Sequence, residues 1–247
     1  MRTQISINSW LTCTKPNPQA KVRLFCFPYA GGGSLIFREW SQELLPYIEV
    51  YTIQLPGRES RLQEPAFNRL QPLVEQLSQA ILPNLNQPFA FFGHSMGGLI
   101  AFEVTRCLRR WGLHPMHLFI SGARAPHLPD LDPPINNLPQ TEFIEELRRF
   151  NGTPTTILEN AELMELLLPT LRADFAVLET YIYTTEPPLS CPITVFGGLE
   201  DEIVNQDELK AWKEHTNQTF CLQMLPGNHF FLQQERARLL QFISRVS

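Results

Sequence analysis

The stretch Pro88-Phe89-Ala90-Phe91-Phe92-Gly93-His94-Ser95-Met96-Gly97-Gly98-Leu99 decides the fold. Its first residues form a short apolar run of strand character, and apolar residues at helical spacing (Ile100, Val104, Leu108, Trp111) follow the glycines. Between them stands a G-x-S-x-G pentapeptide, Gly93 to Gly97. Glycine on both sides of a serine lets the chain turn sharply from strand into helix, leaving the hydroxyl exposed on a strained corner. The bland alternative is a Gly-rich turn without chemistry. Strand, tight turn and helix in immediate succession favour a nucleophile at Ser95.

Other apolar runs repeat the strand pattern: Val22–Phe27, Val50–Leu55, Leu118–Ser121, Ile193–Phe196 and Phe220–Met224. Several are apolar on successive residues, as in a parallel sheet covered on both faces. Between them lie segments at helical spacing, such as Leu70, Leu73, Leu77 and Ile81. The alternation predicts an α/β fold, a mostly parallel sheet flanked by helices with right-handed crossovers. One stretch breaks the rhythm. From about Ala125 to Pro188 no strand pattern occurs, and Pro126, Pro129, Pro133, Pro134 and Pro139 precede helical patterns around Glu142–Phe150 and Ala161–Leu167. A third helix is expected to begin at Pro169, whose fixed φ suits a first helical position. Residues 1–247 are thus expected to form a single domain with a helical insertion over about 126–188, a natural lid. Leu239, Leu240, Phe242 and Ile243 near the end are expected to pack as ordinary core.

The 247 residues are 43% hydrophobic and 18% charged, enough for a sizeable core and unlike a disordered chain. Twenty basic against 25 acidic residues leave a net charge of −5, which argues against binding nucleic acid. No apolar run is long enough to span a bilayer, and Met1–Asn8 lacks the apolar core of a signal peptide. Five scattered cysteines (Cys13, Cys26, Cys107, Cys191, Cys221) form neither a metal-ligand pattern nor a disulfide framework. A reduced, cytoplasmic protein without membrane contact, metal or resident cofactor is expected, with monomer as the default.

A nucleophilic serine needs a base, and the base needs an orienting acid. Of six histidines, His229 stands in the loop Leu225–Phe231, directly after the last strand. Strand C-terminal ends are where sheets of this kind hold their sites. His94 adjoins Ser95, but its side chain alternates to the other side of the strand. The acid is expected between serine and base in chain order. After Ile193–Phe196, the turn Gly197-Gly198-Leu199-Glu200-Asp201-Glu202 offers three carboxylates. Asp201 is preferred because a short turn through Gly198 returns it towards the sheet; Glu200 and Glu202 are the alternatives. Two amides must stabilise the oxyanion. Met96, after the nucleophile, supplies one, and the loop Phe27-Pro28-Tyr29-Ala30-Gly31-Gly32-Gly33 supplies the other, from Ala30 or Tyr29. That loop has neither a P-loop lysine nor a dinucleotide-binding spacing. The order Ser95, Asp201, His229 is that of the α/β-hydrolase fold.

Four motifs together carry a closer likeness: Phe27-Pro28-Tyr29-Ala30-Gly31-Gly32, Leu55-Pro56-Gly57-Arg58, Gly93-His94-Ser95-Met96-Gly97-Gly98 and Gly227-Asn228-His229-Phe230-Phe231. With Ser121–Pro126 and Leu168–Asp174, they resemble the type II thioesterases that accompany nonribosomal peptide and polyketide synthases, from about Val22 to the end. The resemblance implies a hydrolase that clears misprimed or stalled acyl groups from the phosphopantetheine arm of acyl- or peptidyl-carrier domains. It implies Ser95 as nucleophile, His229 as base, Asp201 as acid, and Ala30 and Met96 as oxyanion donors. Phosphopantetheine would arrive with the substrate. Where the family often has His, this chain has Tyr29, a change that leaves the backbone donor in place. Carrier domains are generally acidic, so Arg106, Arg109 and Arg110, or Arg148 and Arg149, are candidate docking groups. A general esterase, lipase or acyltransferase is the alternative enzyme. A non-catalytic binding protein of the same fold is the alternative of another class.

Overall fold

In a computed structural model, residues 5–44, 46–130 and 132–246 are described; Met1–Gln4 lie outside them. The strands are β1 (Ile5–Asn8), β2 (Leu11–Cys13), β3 (Val22–Phe27), β4 (Ile48–Ile53), β5 (Phe89–His94), β6 (His117–Ser121), β7 (Ile193–Gly198) and β8 (Phe220–Leu225). They form one eight-stranded sheet in the order β1-β2-β4-β3-β5-β6-β7-β8. From β4 through β8 every pairing is parallel, while β1–β2 and β2–β4 are antiparallel. This is the α/β architecture that the strand–helix alternation predicts. The β1–β2 hairpin is the addition: its strands are too short to show a period in sequence.

Nine helices accompany the sheet among the described residues: α1 (Trp40–Glu43), α2 (Leu70–Ile81), α3 (Met96–Arg109), α4 (Gln140–Phe150), α5 (Thr155–Leu158), α6 (Ala161–Glu179), α7 (Gln206–Lys210), α8 (Phe231–Gln234) and α9 (Arg236–Ile243). On one face, Phe25, Phe27 and Phe91 meet edge-on and pack with Leu73 and Leu77 of α2 and Ile100 and Val104 of α3. On the other, Phe92, Trp40 and Phe37 pack with Leu239, Leu240 and Ile243 of α9. Both faces of β3 and β5 are therefore buried, which is why these strands read as unbroken apolar runs.

Helices α4 to α6 lie between β6 and β7 and share an apolar cluster of their own around Phe143, Leu147, Met164 and Leu168. Here the sequence expectation needs correcting. Ala161–Leu167 and the segment from Pro169 are one helix, α6, with Pro169 inside it. An internal proline removes one helical hydrogen bond. Pro169 and Glu165, whose carbonyl loses its donor, both lie on the solvent-exposed side, while Met164, Leu168 and Leu171 bury the opposite face.

Two histidines of this framework, His215 buried and His117 half-buried, set a pH limit on stability. Burial pushes His117, stacked on Phe119 and paired with the Thr194 hydroxyl at 2.8 Å, from 6.5 down to about 4. Burial, with His127 and Arg106 adding, does the same to His215, again to about 4. Between pH 6.5 and 4 the unfolded chain takes up protons that the folded one refuses. Their contribution is therefore full above pH 6.5 and is lost as pH falls towards 4. Urea midpoints should decline through that window, and His117→Gln, which keeps a polar partner for Thr194, should flatten the decline. A midpoint independent of pH there would contradict the assignment.

Candidate active site

Ser95 sits between β5 and α3 with φ 52° and ψ −120°, a strained backbone for a residue with a Cβ. The glycines explain how the corner closes. A Cβ on Gly93 would meet the Gly97 carbonyl, and one on Gly97 would meet the Phe27 carbonyl at the end of β3. Helix α3 thus begins at Met96, four residues before the apolar period that starts at Ile100. Its amino terminus lies behind Ser95, where the helix dipole favours developing negative charge.

His229 and Asp201 come together from the ends of β8 and β7. His229 Nδ1 lies 2.8 Å from Asp201 Oδ2, and both side chains are buried. A carboxylate can only accept, so Nδ1 carries the proton and donates, which leaves the Nε2 lone pair available. Asp201 is itself fixed: its Oδ1 accepts the amides of Ile203 at 2.8 Å and Val204 at 3.1 Å. The turn that presents it is closed by the Leu199 amide on the Leu225 carbonyl and the Glu200 amide on the Gly227 carbonyl. It then runs into α7, whose first turn carries a reciprocal capping box between Asn205 and Glu208. Glu200 and Glu202 are exposed and take no part.

The glycine-rich loop after β3 forms a turn closed by the Gly32 amide on the Tyr29 carbonyl at 2.9 Å. Gly31, third in the turn, has φ 74°, the left-handed value that such a turn requires there. The amides of Ala30 and Met96 donate to no protein acceptor among the described residues. Ser95, His229, Ala30 and Met96 all line one cavity of about 460 Å³, so the five candidates converge on one place through the His229–Asp201 bond. Leu171, Phe175 and Leu178 of α6 form a wall of this cavity, with Pro126 and Leu128 from the loop after β6.

His94 has a supporting position that its place beside Ser95 does not reveal. It is fully buried, its Nδ1 pairs with the Ser121 hydroxyl at 2.9 Å, and its ring lies 5.2 Å from that of His229. Burial, reinforced by His229, holds it well below the ordinary imidazole range, so it presents a neutral wall to His229. Among the described residues no group of three or more His, Cys, Asp or Glu side chains is placed to hold a metal ion. No described helix is long and apolar enough to cross a membrane.

The basic residues of α3 are largely committed to structure. Arg106 pairs with Glu103 at 2.7 Å and Glu186 at 3.0 Å, and Arg109 pairs with Glu186, tying α3 to the segment before β7. Arg148 and Arg149, at the end of α4, are exposed.

The chain is 47% identical over 240 residues to the gramicidin S biosynthesis protein GrsT of Aneurinibacillus migulanus, covering 97% of this chain and 94% of that one. It is 46% identical over 246 residues to the linear gramicidin dehydrogenase LgrE of Brevibacillus parabrevis, covering 98% and 94%. The solved type II thioesterase BorB, from the borrelidin biosynthetic cluster, matches with a TM-score of 0.91 and 33% identity over 98% of this chain and 99% of that one. The thioesterase domain family model matches residues 22–246. With that match across nearly its whole length, the chain belongs to the thioesterase domain family.

Proposed function

We propose that this protein is a serine thioesterase that removes acyl groups from the phosphopantetheine arm of carrier domains in nonribosomal peptide or polyketide synthesis. The observation that carries this reading is the convergence of Ser95, the His229–Asp201 pair and two unengaged amides on an apolar cavity, in a chain of this family. His229 Nε2 takes the Ser95 proton as Oγ attacks the thioester carbon. The carbonyl oxygen becomes an oxyanion facing the Ala30 and Met96 amides. Collapse breaks the C–S bond, and the departing thiolate takes the proton from His229, leaving an acyl ester on Ser95. Water, deprotonated by His229, then attacks that ester, and the acid and free Ser95 are released. The acyl chain lies along the wall formed by Leu171, Phe175 and Leu178.

The dehydrogenase name of the Brevibacillus relative finds no counterpart in this loop. It lacks the G-x-G-x-x-G spacing, the Gly31 amide is taken by Asp174, and a short 3₁₀ turn, Ser34–Phe37, follows in place of a long helix. The test is to compare hydrolysis of one acyl group on a holo-carrier protein, on coenzyme A and as a nitrophenyl ester. A large preference for the carrier-bound group is expected. A preference for the small ester would instead identify a general esterase.

Carrier domains with acidic surfaces would meet Arg148 and Arg149. Reversing both charges (Arg148→Glu with Arg149→Glu) should lower kcat/KM for the carrier-bound substrate about tenfold and spare the nitrophenyl ester. Equal losses on both substrates would remove these residues from docking.

A further inference from the structure

Two motifs of the sequence, Leu55–Arg58 and Leu168–Asp174, supply no reacting group to the chemistry above, and the fold places them against each other. Arg58 and Asp174, 116 residues apart, form a bidentate ion pair at 2.7 and 2.8 Å, and each is at most 6% exposed. The pair also holds the glycine-rich turn. Asp174 Oδ2 accepts the Gly31 amide at 2.7 Å, and Arg58 Nη1 donates to the Gly32 carbonyl at 3.0 Å. Two neighbours complete the junction. The Thr170 hydroxyl donates to the Gly57 carbonyl at 2.6 Å, and Leu171 packs so tightly on Gly31 that a Cβ there would collide with it.

The consequence lies in the peptide between Tyr29 and Ala30. A trans peptide points its C=O and N–H in opposite directions. The Tyr29 carbonyl is drawn into the turn by the Gly32 amide, so the Ala30 N–H is turned the other way. That geometry lasts only while Gly31 and Gly32 are held, and the groups that hold them come from Arg58 and from helix α6. A buried ion pair is a weak source of stability, and a well-packed apolar pair would hold two elements together as well. An apolar pair would offer no acceptor to the Gly31 amide and no donor to the Gly32 carbonyl.

We infer that Arg58 and Asp174 are positioning residues for the oxyanion site: a latch through which helix α6, seated on the glycine-rich turn, aims the Ala30 amide. The inference rests on the acyl-serine reading above. The oxyanion site is complete only while α6 is docked, which couples the cavity wall to catalytic competence.

The test separates aim from folding. Arg58→Met with Asp174→Leu replaces the ion pair by an apolar one, and Asp174→Asn keeps the shape of the carboxylate. Each is assayed on an acyl-pantetheine thioester and titrated with two inhibitors bearing the same acyl chain. One is a boronic acid, which forms a tetrahedral adduct on Ser95; the other is an unreactive pantetheine thioether. The apolar pair should melt near the parent temperature yet lose ~10- to 100-fold in kcat, with KM within about threefold of the parent. Boronate affinity should fall by the same factor as kcat, and thioether affinity should hold. A kcat within about threefold of the parent in the folded double variant would overturn the latch. So would a parallel loss of thioether binding. If the double variant does not fold, Asp174→Asn gives the same three readings. If neither folds, the pair is a requirement of the fold and the positioning role is overturned. Ser95→Ala is run alongside: full turnover by it would overturn the acyl-serine reading, whereas a Ser95-dependent enzyme indifferent to both latch variants would overturn the latch alone.

Discussion

Ser95→Ala should lower kcat on a carrier-bound thioester by roughly 10⁶-fold, the loss expected when a triad nucleophile is removed. The fold should be unaffected. Alanine keeps the Cβ that already occupies the strained corner at φ 52°, and the Ser95 amide still donates to the Ser121 carbonyl at 2.8 Å. Residual turnover of ~10³-fold over water is expected to survive, because the Ala30 and Met96 amides still polarise the carbonyl for direct attack by water. The readout is single-turnover hydrolysis followed by release of free thiol, with the melting temperature as control. A loss below about a hundredfold would mean that another group carries the acyl chain.

The second large effect belongs to Asp201→Asn, expected to cost ~10⁴-fold in kcat through the tautomer of His229. The amides of Ile203 and Val204 both point at Oδ1, so the asparagine oxygen is held on that side. Its NH₂ group is then left facing His229 Nδ1, where Asp201 Oδ2 now accepts at 2.8 Å. A donor at that place forces Nδ1 to accept and Nε2 to carry the hydrogen, so the ring can no longer take the proton of Ser95. Glu200→Gln and Glu202→Gln are the matched controls. Both carboxylates are exposed, and each change should leave kcat within about twofold. A large effect at either one, with Asp201→Asn near the parent, would reassign the acid.

The nucleophile corner is legible in sequence because it is local: one strand, one turn and the start of one helix fall in twelve consecutive residues, Pro88 to Leu99. Asp201 and His229 are 28 residues apart, yet each follows a strand of the parallel sheet, and the parallel pairing of β7 with β8 delivers both to the same, C-terminal end. What the sequence hides is contact between elements whose adjacency nothing local records. Arg58 and Asp174 each close a motif that the sequence marks, yet nothing in either motif says that the two side chains meet. Only the docking of α6 makes them a buried pair. Arg106 is the reverse case. In sequence it joins a basic cluster on a helix, while in the fold it is buried against Glu103 and Glu186 and belongs to the framework. Pro169 misleads for a physical reason too. Its ring fits a first helical turn best, but an exposed position in a helix anchored by Met164, Leu168 and Leu171 tolerates it.

The most direct test of the acyl-serine mechanism is to quench the enzyme within its first turnover on excess acyl-carrier thioester and weigh the protein and its peptides by mass spectrometry. The mass of the acyl group should appear on the peptide containing Ser95 before product reaches its steady rate, and should be absent from Ser95→Ala. Full turnover with no acylated protein, or an acyl group on any other residue, would contradict the mechanism.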